Sequence, residues 1–479
     1  MFWCGNFRPL AEAAYPIGCW LSRIYTAKVH PVKKVENDGR QGGDDSGQLA
    51  VAFPGKGNNC NCYASFSRNL LEITLKDIRR SVERITGLKI KRLQIYIFFS
   101  LRKELECYLS SRPMLMSSNS IDIIIPSFRL DEQYLLPLFH LPKPAGWQFN
   151  YYVVVDNPKV QPGPEMRRLA AEGAIHLFIN AENLGAAESR NKGINAGNGD
   201  WMLFLDDDIV ADEEVLFQYV KAIEANPGSI GFIGLTDFPA PMNTFTRALT
   251  AAGLTTIFTI ANRTDSFVWG VTANMMYNRA AMQELRFSPI FPKNGGGEDV
   301  DLPAQICLRN NARFLCVKEA RVTHPWWNDG QPHYKRFERY GEGMALLLPR
   351  FKQFTWYAFP NPVEGLLLVL LSAPLFFLYL SWEKWLVLLL AIPVIDMLIN
   401  CIRASGMGFR ELKVGYYMTQ LRCSNEWGLL KTVVTSGRPD YFMKRINIDF
   451  TRPRHFRTNR WRIIKLVIYL VLIATLIFL

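Results

Sequence analysis

Three consecutive carboxylates, Asp206, Asp207 and Asp208, directly follow the apolar run Trp201–Leu205. The run predicts a buried strand, and massed negative charge at the end of such a strand is costly unless a positive group lies beside it. A divalent cation is a suitable partner, because hard ions take carboxylate oxygens and complete their shell with water and substrate phosphates. The alternative is an acidic surface turn. The stretch therefore predicts a metal-diphosphate site at the carboxyl end of a strand, where open α/β sheets bind their ligands.

Four further segments accompany the acidic motif in a fixed order along the chain. They are residues 120–128, 153–157, 183–193 and 295–302. Together with the acidic motif they resemble the family-2 glycosyltransferases, which have the GT-A nucleotide-sugar-binding fold. The resemblance extends over roughly residues 118–345. It implies an α/β, Rossmann-like catalytic domain that moves a hexose from a nucleotide sugar, followed here by C-terminal transmembrane helices.

The resemblance assigns roles to single residues. It implies that residues within and on both sides of the acidic motif bind the nucleotide-sugar donor: Pro126, Ser127, Asp156, Asn183, Gly185, Arg190, Asp206, Asp207, Trp269 and Gly270. It implies that three residues bind Mn²⁺ or Mg²⁺: Asp208, Asp206 and His324. Three aspartates in a row leave the register open, so Asp207 is an alternative metal ligand.

The same resemblance makes Asp299 the catalytic base and Glu298 the acceptor-binding residue, although the two could exchange roles. An inverting transferase needs a carboxylate to take the proton from the acceptor hydroxyl. The preceding glycines, at 295–297, allow a close backbone approach to a ligand. Structural alternatives remain open: Asp299 could cap a helix, His324 could cap a turn, and Arg190 could be a surface residue.

The elements that position these residues follow from the hydrophobic pattern. Short apolar runs at 121–125, 151–155, 201–205, 230–235 and 268–277 predict strands. Helical patterns occur at 163–173, 185–197 and 212–225. This alternation predicts a mostly parallel sheet with helices on both faces, in a catalytic domain over residues 119–350.

Residues 1–118 carry no chemistry that we can identify and are predicted to be a partly flexible accessory region. Residues 36–61 are rich in Gly, Asn and Asp, which predicts a linker. Residues 68–110 predict amphipathic helices, with 93–99 as an alternative strand. The first twenty residues lack the apolar core of a secretory signal.

Beyond residue 360 the composition becomes apolar. Residues 363–402 predict a transmembrane hairpin and residues 463–479 a third span. The alternative is a helical hairpin buried in a soluble domain. Residues 403–462 are basic and predict interfacial helices. Their lysines and arginines place this segment and the catalytic domain in the cytosol, in a multi-pass membrane protein. Asp396 and Asn400, inside a predicted span, make a conduit possible.

Composition narrows the class of protein. The formal net charge is +12 and 49% of residues are hydrophobic, which excludes a disordered chain. Much of the basic excess flanks the apolar segments, so nucleic acid is not the predicted partner. The nine cysteines form no Cys-x-x-Cys pair, which indicates a reducing compartment and argues against zinc.

These observations predict a metal-dependent, inverting glycosyltransferase that uses a nucleotide-sugar donor and a glycan or lipid-linked acceptor at a membrane. A processive polysaccharide synthase is less favoured, because residues 420–423 and 459–461 hold only parts of its Gln-x-x-Arg-Trp motif. A nucleotidyltransferase would need a Gly-rich basic loop after the first strand, where only Arg129 lies. An inactive scaffold is the third alternative, which the intact acidic motifs oppose.

Overall fold

The computed structural model describes residues 119–358, 361–379 and 381–478, together with two short strands of the preceding region. Those strands, β1 (Leu49–Phe53) and β2 (Cys62–Phe66), pair antiparallel within a separate unit, Met1–Pro113. Leu49–Phe53 lies in the predicted linker but forms a strand, so that part of the prediction is wrong; its five residues are all apolar, and Val and Phe favour strands. The helices predicted within 68–110 and the alternative strand at 93–99 lie outside the described residues.

The other regular elements that the structure describes lie in the second unit, Met114–Leu479. Its strands are β3 (Ser120–Ser127), β4 (Gln148–Val155), β5 (His176–Ile179), β6 (Trp201–Leu205), β7 (Val210–Ala211), β8 (Gly231–Asp237), β9 (Ser266–Phe267), β10 (Asn274–Asn278), β11 (Phe314–Thr323), β12 (Thr355–Tyr357) and β13 (Lys444–Ile446). Its helices are α1 (Glu132–Phe139), α2 (Pro164–Ala171), α3 (Ala186–Ala196), α4 (Val215–Ala225), α5 (Thr244–Ala251), α6 (Arg279–Met282), α7 (Glu298–Asn310), α8 (Lys335–Leu347), α9 (Pro362–Leu371), α10 (Ala373–Tyr379), α11 (Trp382–Gly406), α12 (Leu412–Thr435) and α13 (Arg460–Phe478).

Nine strands form one mixed sheet in the order β5-β4-β3-β6-β10-β8-β11-β7, with β9 paired to β11. The β5, β4, β3 and β6 strands are parallel, and β8 is parallel to β11. The β10 strand runs antiparallel between β6 and β8. Because β10 is reversed, the loop before it reaches the edge at which β3, β4 and β6 end.

The central strands are buried on both faces, as their near-continuous Ile, Val and Leu content predicts for strands covered by helices. Two hydrophobic clusters, one on each face, form the core. The predicted strands at 121–125, 151–155, 201–205 and 230–235 are confirmed. At 268–277 only Asn274–Asn278 is a strand. The β5 strand and the α5 helix were not predicted.

The apolar C-terminal region contains two helices that are long and apolar enough to cross a membrane, α11 and α13. Only 28% and 11% of their apolar windows are buried, unlike the core helices of soluble domains. The predicted first span is wrong as one continuous helix, because α9 ends at Leu371 and a turn at Ser372 separates it from α10. Pro374 lacks the N–H that would continue the helical hydrogen bonding.

The α12 helix, predicted to lie at a membrane interface, packs between α8 and α11. Glycines bring α8 and α12 into backbone contact. An ideal Cβ at Gly341 would lie 1.9 Å from the Asn425 carbonyl oxygen, and one at Gly428 would lie 1.9 Å from that of Glu338. A Cβ at Gly343 would lie equally close, 1.9 Å, to the Gly296 carbonyl oxygen in the loop before α7.

Candidate active site

A cavity of about 420 Å³ opens where the parallel strands end. Residues after β3, β6 and β11 and residues just before β10 and α7 line it. Of the residues predicted to form the site, those that line the cavity are Pro126, Ser127, Asp156, Arg190, Asp206, Asp207, Asp208, Glu298, Asp299 and His324. The sheet topology thus brings together motifs that are up to about 200 residues apart in the sequence.

Three candidate ligand groups converge at the acidic motif. One oxygen each from Asp206 and Asp208 and one ring nitrogen of His324 lie within 4.8 Å of one another. The buried His324 ring directs Nδ1 to the carbonyl oxygen of Pro325 at 2.6 Å, and its Nε2 lies 3.5 Å from Asp208. When Nδ1 donates to a carbonyl, neutral Nε2 keeps its lone pair for a metal. Two carboxylates and an imidazole fit Mn²⁺ or Mg²⁺.

Asp207 faces away from this trio. One of its oxygens accepts from the Ser127 hydroxyl at 2.7 Å and the other from Arg129 at 3.1 Å. The second neighbour of Arg129 is Asp208, at 2.7 Å. In the described structure Asp206 and Asp208 thus face His324, and Asp207 holds the turn after β3.

Arg190 joins the two acidic motifs. Its side chain is buried, and its guanidinium lies 3.4 Å from Asp206 and 3.3 Å from Glu298. The surface alternative for Arg190 is wrong, because α3 directs this side chain into the cavity. These pairs place Arg190 between the candidate metal ligands and the candidate acceptor loop.

Glu298 and Asp299 begin α7 and occupy different environments. Both Glu298 oxygens are engaged, one by the Gly296 N–H at 2.7 Å and the other by Arg190. Asp299 is partly exposed to the cavity. Enclosure by protein and the nearby Glu298 charge raise the pKa of Asp299 from 3.8 to about 7. Gly297 precedes them with φ +102°, a left-handed conformation that glycine adopts without strain.

The predicted nucleotide loop is built on Asp156. Its carboxylate accepts from the backbone N–H groups of Leu184 and Gly185, both at 2.8 Å, and from the Asn180 amide at 2.9 Å. Asp156 therefore fixes the loop as well as lining the cavity. Asn183 and Gly185 lie behind the lining, and the Asn183 carbonyl oxygen accepts from Lys293 at 2.9 Å.

Trp269 and Gly270, predicted to form the donor-sugar floor, are not among the residues that line the cavity. The Trp269 indole is buried in the core and donates to the Ile448 carbonyl oxygen at 2.8 Å. Residues 271–273, which follow, line the cavity instead. Trp326 and Trp327, for which membrane anchoring was an alternative, are both buried, and Trp327 lines the cavity.

Sequence reasoning missed several cavity residues. Arg336, Arg339 and Tyr340 enter from α8, and Lys293 enters from the loop before α7. The spacing of Arg336 and Arg339, three residues apart, places both on one side of a helix. That spacing was the available signal, but a pair of arginines on a helix more often faces water.

A second group of charges lies outside the cavity, among the C-terminal helices. Asp396 is fully buried and accepts from Lys465 at 2.5 Å, with Asn400 at 3.2 Å and Arg422 at 3.4 Å. The chain of charged contacts continues to residues of α9, α12 and β13: Arg422 to Glu426, Glu426 to Arg445, and Arg445 to Glu364. We call these residues the buried ion network. Asp396 and Asn400 therefore pair with protein groups.

Part of the chain is similar to known glycosyltransferases. Residues 122–286 match the family model described as Glycosyl transferase family 2. An uncharacterized glycosyltransferase of Haemophilus influenzae is 34% identical over 117 residues, which are 24% of this chain and 37% of the relative. The chain thus spans little more than a third of the curated relative that it matches.

Two solved structures are similar at low identity. Residues 1–349 of S. aureus TarS give a TM-score of 0.35 at 13% identity, covering 71% of this chain and 100% of that one. GalNAc-T7, crystallised with UDP, GalNAc and Mn²⁺, gives a TM-score of 0.34 at 13% identity over 49% of each chain.

The described sheet is mixed α/β, and its strands β4 to β10 lie within the residues that are similar to Glycosyl transferase family 2. This domain match and the matched relative support the enzyme class that the motifs predicted, a glycosyltransferase.

Proposed function

We propose that this protein is a membrane-anchored, metal-dependent, inverting glycosyltransferase. It transfers one sugar from a nucleotide sugar to a hydroxyl of a membrane-associated or lipid-linked acceptor. The observation that carries the proposal is the shared cavity. A three-residue set suited to a divalent cation faces it, and so does a carboxyl whose pKa is about 7.

The chemistry divides between the two groups. A metal bound by Asp206, Asp208 and His324 would neutralise the charge that develops on the leaving diphosphate. Asp299, with a pKa near neutrality, takes the proton from the acceptor hydroxyl. Glu298 is held by Arg190 and the Gly296 N–H, so it is suited to orienting the loop and the acceptor. This supports Asp299 as the base and Glu298 as the positioning residue.

Single-sugar transfer is favoured over chain extension because Arg422, in the partial motif at 420–423, is occupied within the buried ion network. A processive synthase would place its motif beside the acceptor. The nucleotidyltransferase alternative has only Arg129 after β3, and that side chain is bound to Asp207 and Asp208. The two apolar helices support membrane anchoring.

The first test is a screen of nucleotide sugars with the full-length protein in detergent. One donor should be hydrolysed only with Mn²⁺ or Mg²⁺ and should protect the protein from thermal unfolding. With a membrane extract as acceptor, one sugar should be added per product. Repeated addition of sugar would instead identify a processive synthase, and loss of metal dependence would contradict the role of the three-residue set.

The cytosolic orientation has a separate test. Single-cysteine variants at Lys384, at the start of α11, and at Lys413, in α12, would be labelled from outside intact cells. The basic ends of α11 and α13 predict labelling at position 384 but not at position 413. Reversed labelling would place the catalytic domain outside the cell.

A further inference from the structure

Two arginines of the cavity have free hydrogen-bonding capacity. Arg336 and Arg339 reach it from one side of α8, and the Nε atoms of both are buried without a hydrogen-bond partner among the described residues. Each such buried donor costs free energy until a partner is supplied. Arg190 also has an unpartnered Nε, but its terminal nitrogens, like that of Arg129, are paired with carboxylates.

The electrostatics indicate the kind of partner. Burial and the neighbouring charge of Arg336 lower the pKa of Arg339, so the two guanidinium groups repel each other. The Arg336 guanidinium lies 5.1 Å from the centre of the Trp327 ring, which limits its freedom to turn away. An anion with several oxygens would relieve the repulsion, and guanidinium groups match phosphate geometry in two parallel hydrogen bonds.

The position of the pair separates it from the nucleoside side of the cavity. A Cβ at Gly296 would lie 2.8 Å from the Arg339 carbonyl oxygen, so this turn of α8 packs against the loop that carries Asp299. Ser127 and Asp156, on the predicted nucleoside side, lie instead at the carboxyl ends of β3 and β4. The α8 helix also packs on α12, which packs on the apolar α11.

We propose that Arg336 and Arg339 form an anion subsite that holds a phosphate of a lipid acceptor while the acceptor hydroxyl faces Asp299. The proposal rests on the proposed function and specifies its acceptor class. The same chemistry could serve the diphosphate of the donor, so the experiment must separate the two sources.

The probe is dodecyl phosphate, with dodecanol as its uncharged counterpart. Binding to the full-length protein is measured by thermal unfolding with Mn²⁺ and the nucleoside diphosphate of the donor found by the screen, or with Mn²⁺ alone if none is found. Dodecyl phosphate should raise the unfolding midpoint and dodecanol should not. The double variant Arg336→Gln/Arg339→Gln should bind dodecyl phosphate about 10²-fold more weakly, since two charge-assisted hydrogen-bonding groups are lost.

Arg168→Gln is the matched control, because Arg168 is on the surface of α2 and is paired with Glu165 and Glu172. It should bind dodecyl phosphate like the wild type. Should the double variant fail to fold, Arg339→Lys retains the charge and should keep part of the binding. In either folded variant, affinity for the nucleoside diphosphate should change less than about threefold.

Three results are decisive. Loss of nucleoside diphosphate binding with dodecyl phosphate binding retained would assign the arginines to the donor and overturn the proposal. No binding of dodecyl phosphate by the wild type would also overturn it. Arginine-dependent phosphate binding by a protein that binds no nucleotide sugar would support the subsite and instead refute the proposed function.

Discussion

The cavity and the buried ion network are both rich in charged side chains, but they differ in how completely those side chains are paired. In the network Asp396, at 0% exposure, contacts Lys465 and Arg422, and the neighbouring charges also pair. In the cavity, Arg190, Arg336 and Arg339 each have a buried Nε without a partner among the described residues, and the pKa of Asp299 is raised towards neutrality. Paired charges fix one arrangement of helices, whereas unpaired ones remain available to a ligand. The difference predicts that network variants lose stability and cavity variants lose activity.

The largest effect on activity is expected for Asp208→Asn. A neutral amide is a poor ligand for a hard cation, so transfer should fall about 10³–10⁴-fold, the equivalent of several kcal/mol. The measurement is the transfer rate across a Mn²⁺ titration, with thermal unfolding recorded alongside. Asp207→Asn is the matched control and should lose less than about tenfold, because Asp207 bonds Ser127 and Arg129. Equal losses in the two variants would contradict the register.

Asp299→Asn should lower transfer about 10²–10⁴-fold by removing the base, while donor affinity stays near the wild-type value. Stability at pH 8 should not fall. The folded-state pKa of Asp299, about 7, lies above its ordinary value of 3.8, so its contribution is complete below about pH 4 and is lost as pH rises through 7. An asparagine avoids that loss. Normal transfer by Asp299→Asn together with inactive Glu298→Gln would mean that the two roles are exchanged.

Lys465→Met tests the other region. Removing one partner of a buried ion pair typically costs about 3–5 kcal/mol, so this variant should unfold at lower denaturant concentration in detergent. The folded fraction should retain its rate of transfer. Adding Asp396→Leu should recover much of the stability, because the uncompensated carboxylate is then gone. A double variant no more stable than Lys465→Met would show that the pair is not the source of the loss.

The smallest effect is a shift in the pH profile. The charge of Glu298 helps to raise the pKa of Asp299, after burial itself, so Glu298→Gln should lower that pKa. Activity depends on ionised Asp299, so the wild-type kcat/KM should rise as pH increases through about 7. In Glu298→Gln the rise should occur at lower pH, whatever the plateau rate above it. A profile that moves to higher pH would exclude Asp299 as the titrating base.

Structural features that depend only on a short continuous segment were predictable from the sequence. The buried strands and the polar residues that end them lie in short continuous segments, so their pattern predicted both the sheet edge and the acidic motif. The helix that contains Asp299 and the role of the preceding glycines in a tight loop were predicted in the same way. Pro374 was a local signal as well, although it was not used to divide the first apolar segment.

Features that depend on distant partners were not predictable. The pair between Arg190 and Glu298 joins residues 108 positions apart, and the Trp269 indole bonds a carbonyl 179 positions away. No local pattern decides whether such a side chain faces the cavity or the core. Arg336 and Arg339 illustrate the same limit, because their place in the cavity depends on the packing of α8 against the Gly296 loop.

The glycine contacts of α8 have a mechanical consequence. Backbone touches backbone between α12 and α8, at Gly341 and Gly428, and again between α8 and the catalytic loop, at Gly343. No layer of flexible side chains separates these backbones at the three contacts. The helices and the loop therefore cannot move closer together there. The catalytic loop then sits at a set height above the apolar helices. With α11 in a membrane, α8 would fix the distance between this loop and the membrane surface. The loop would then reach an acceptor hydroxyl at only one depth in the membrane.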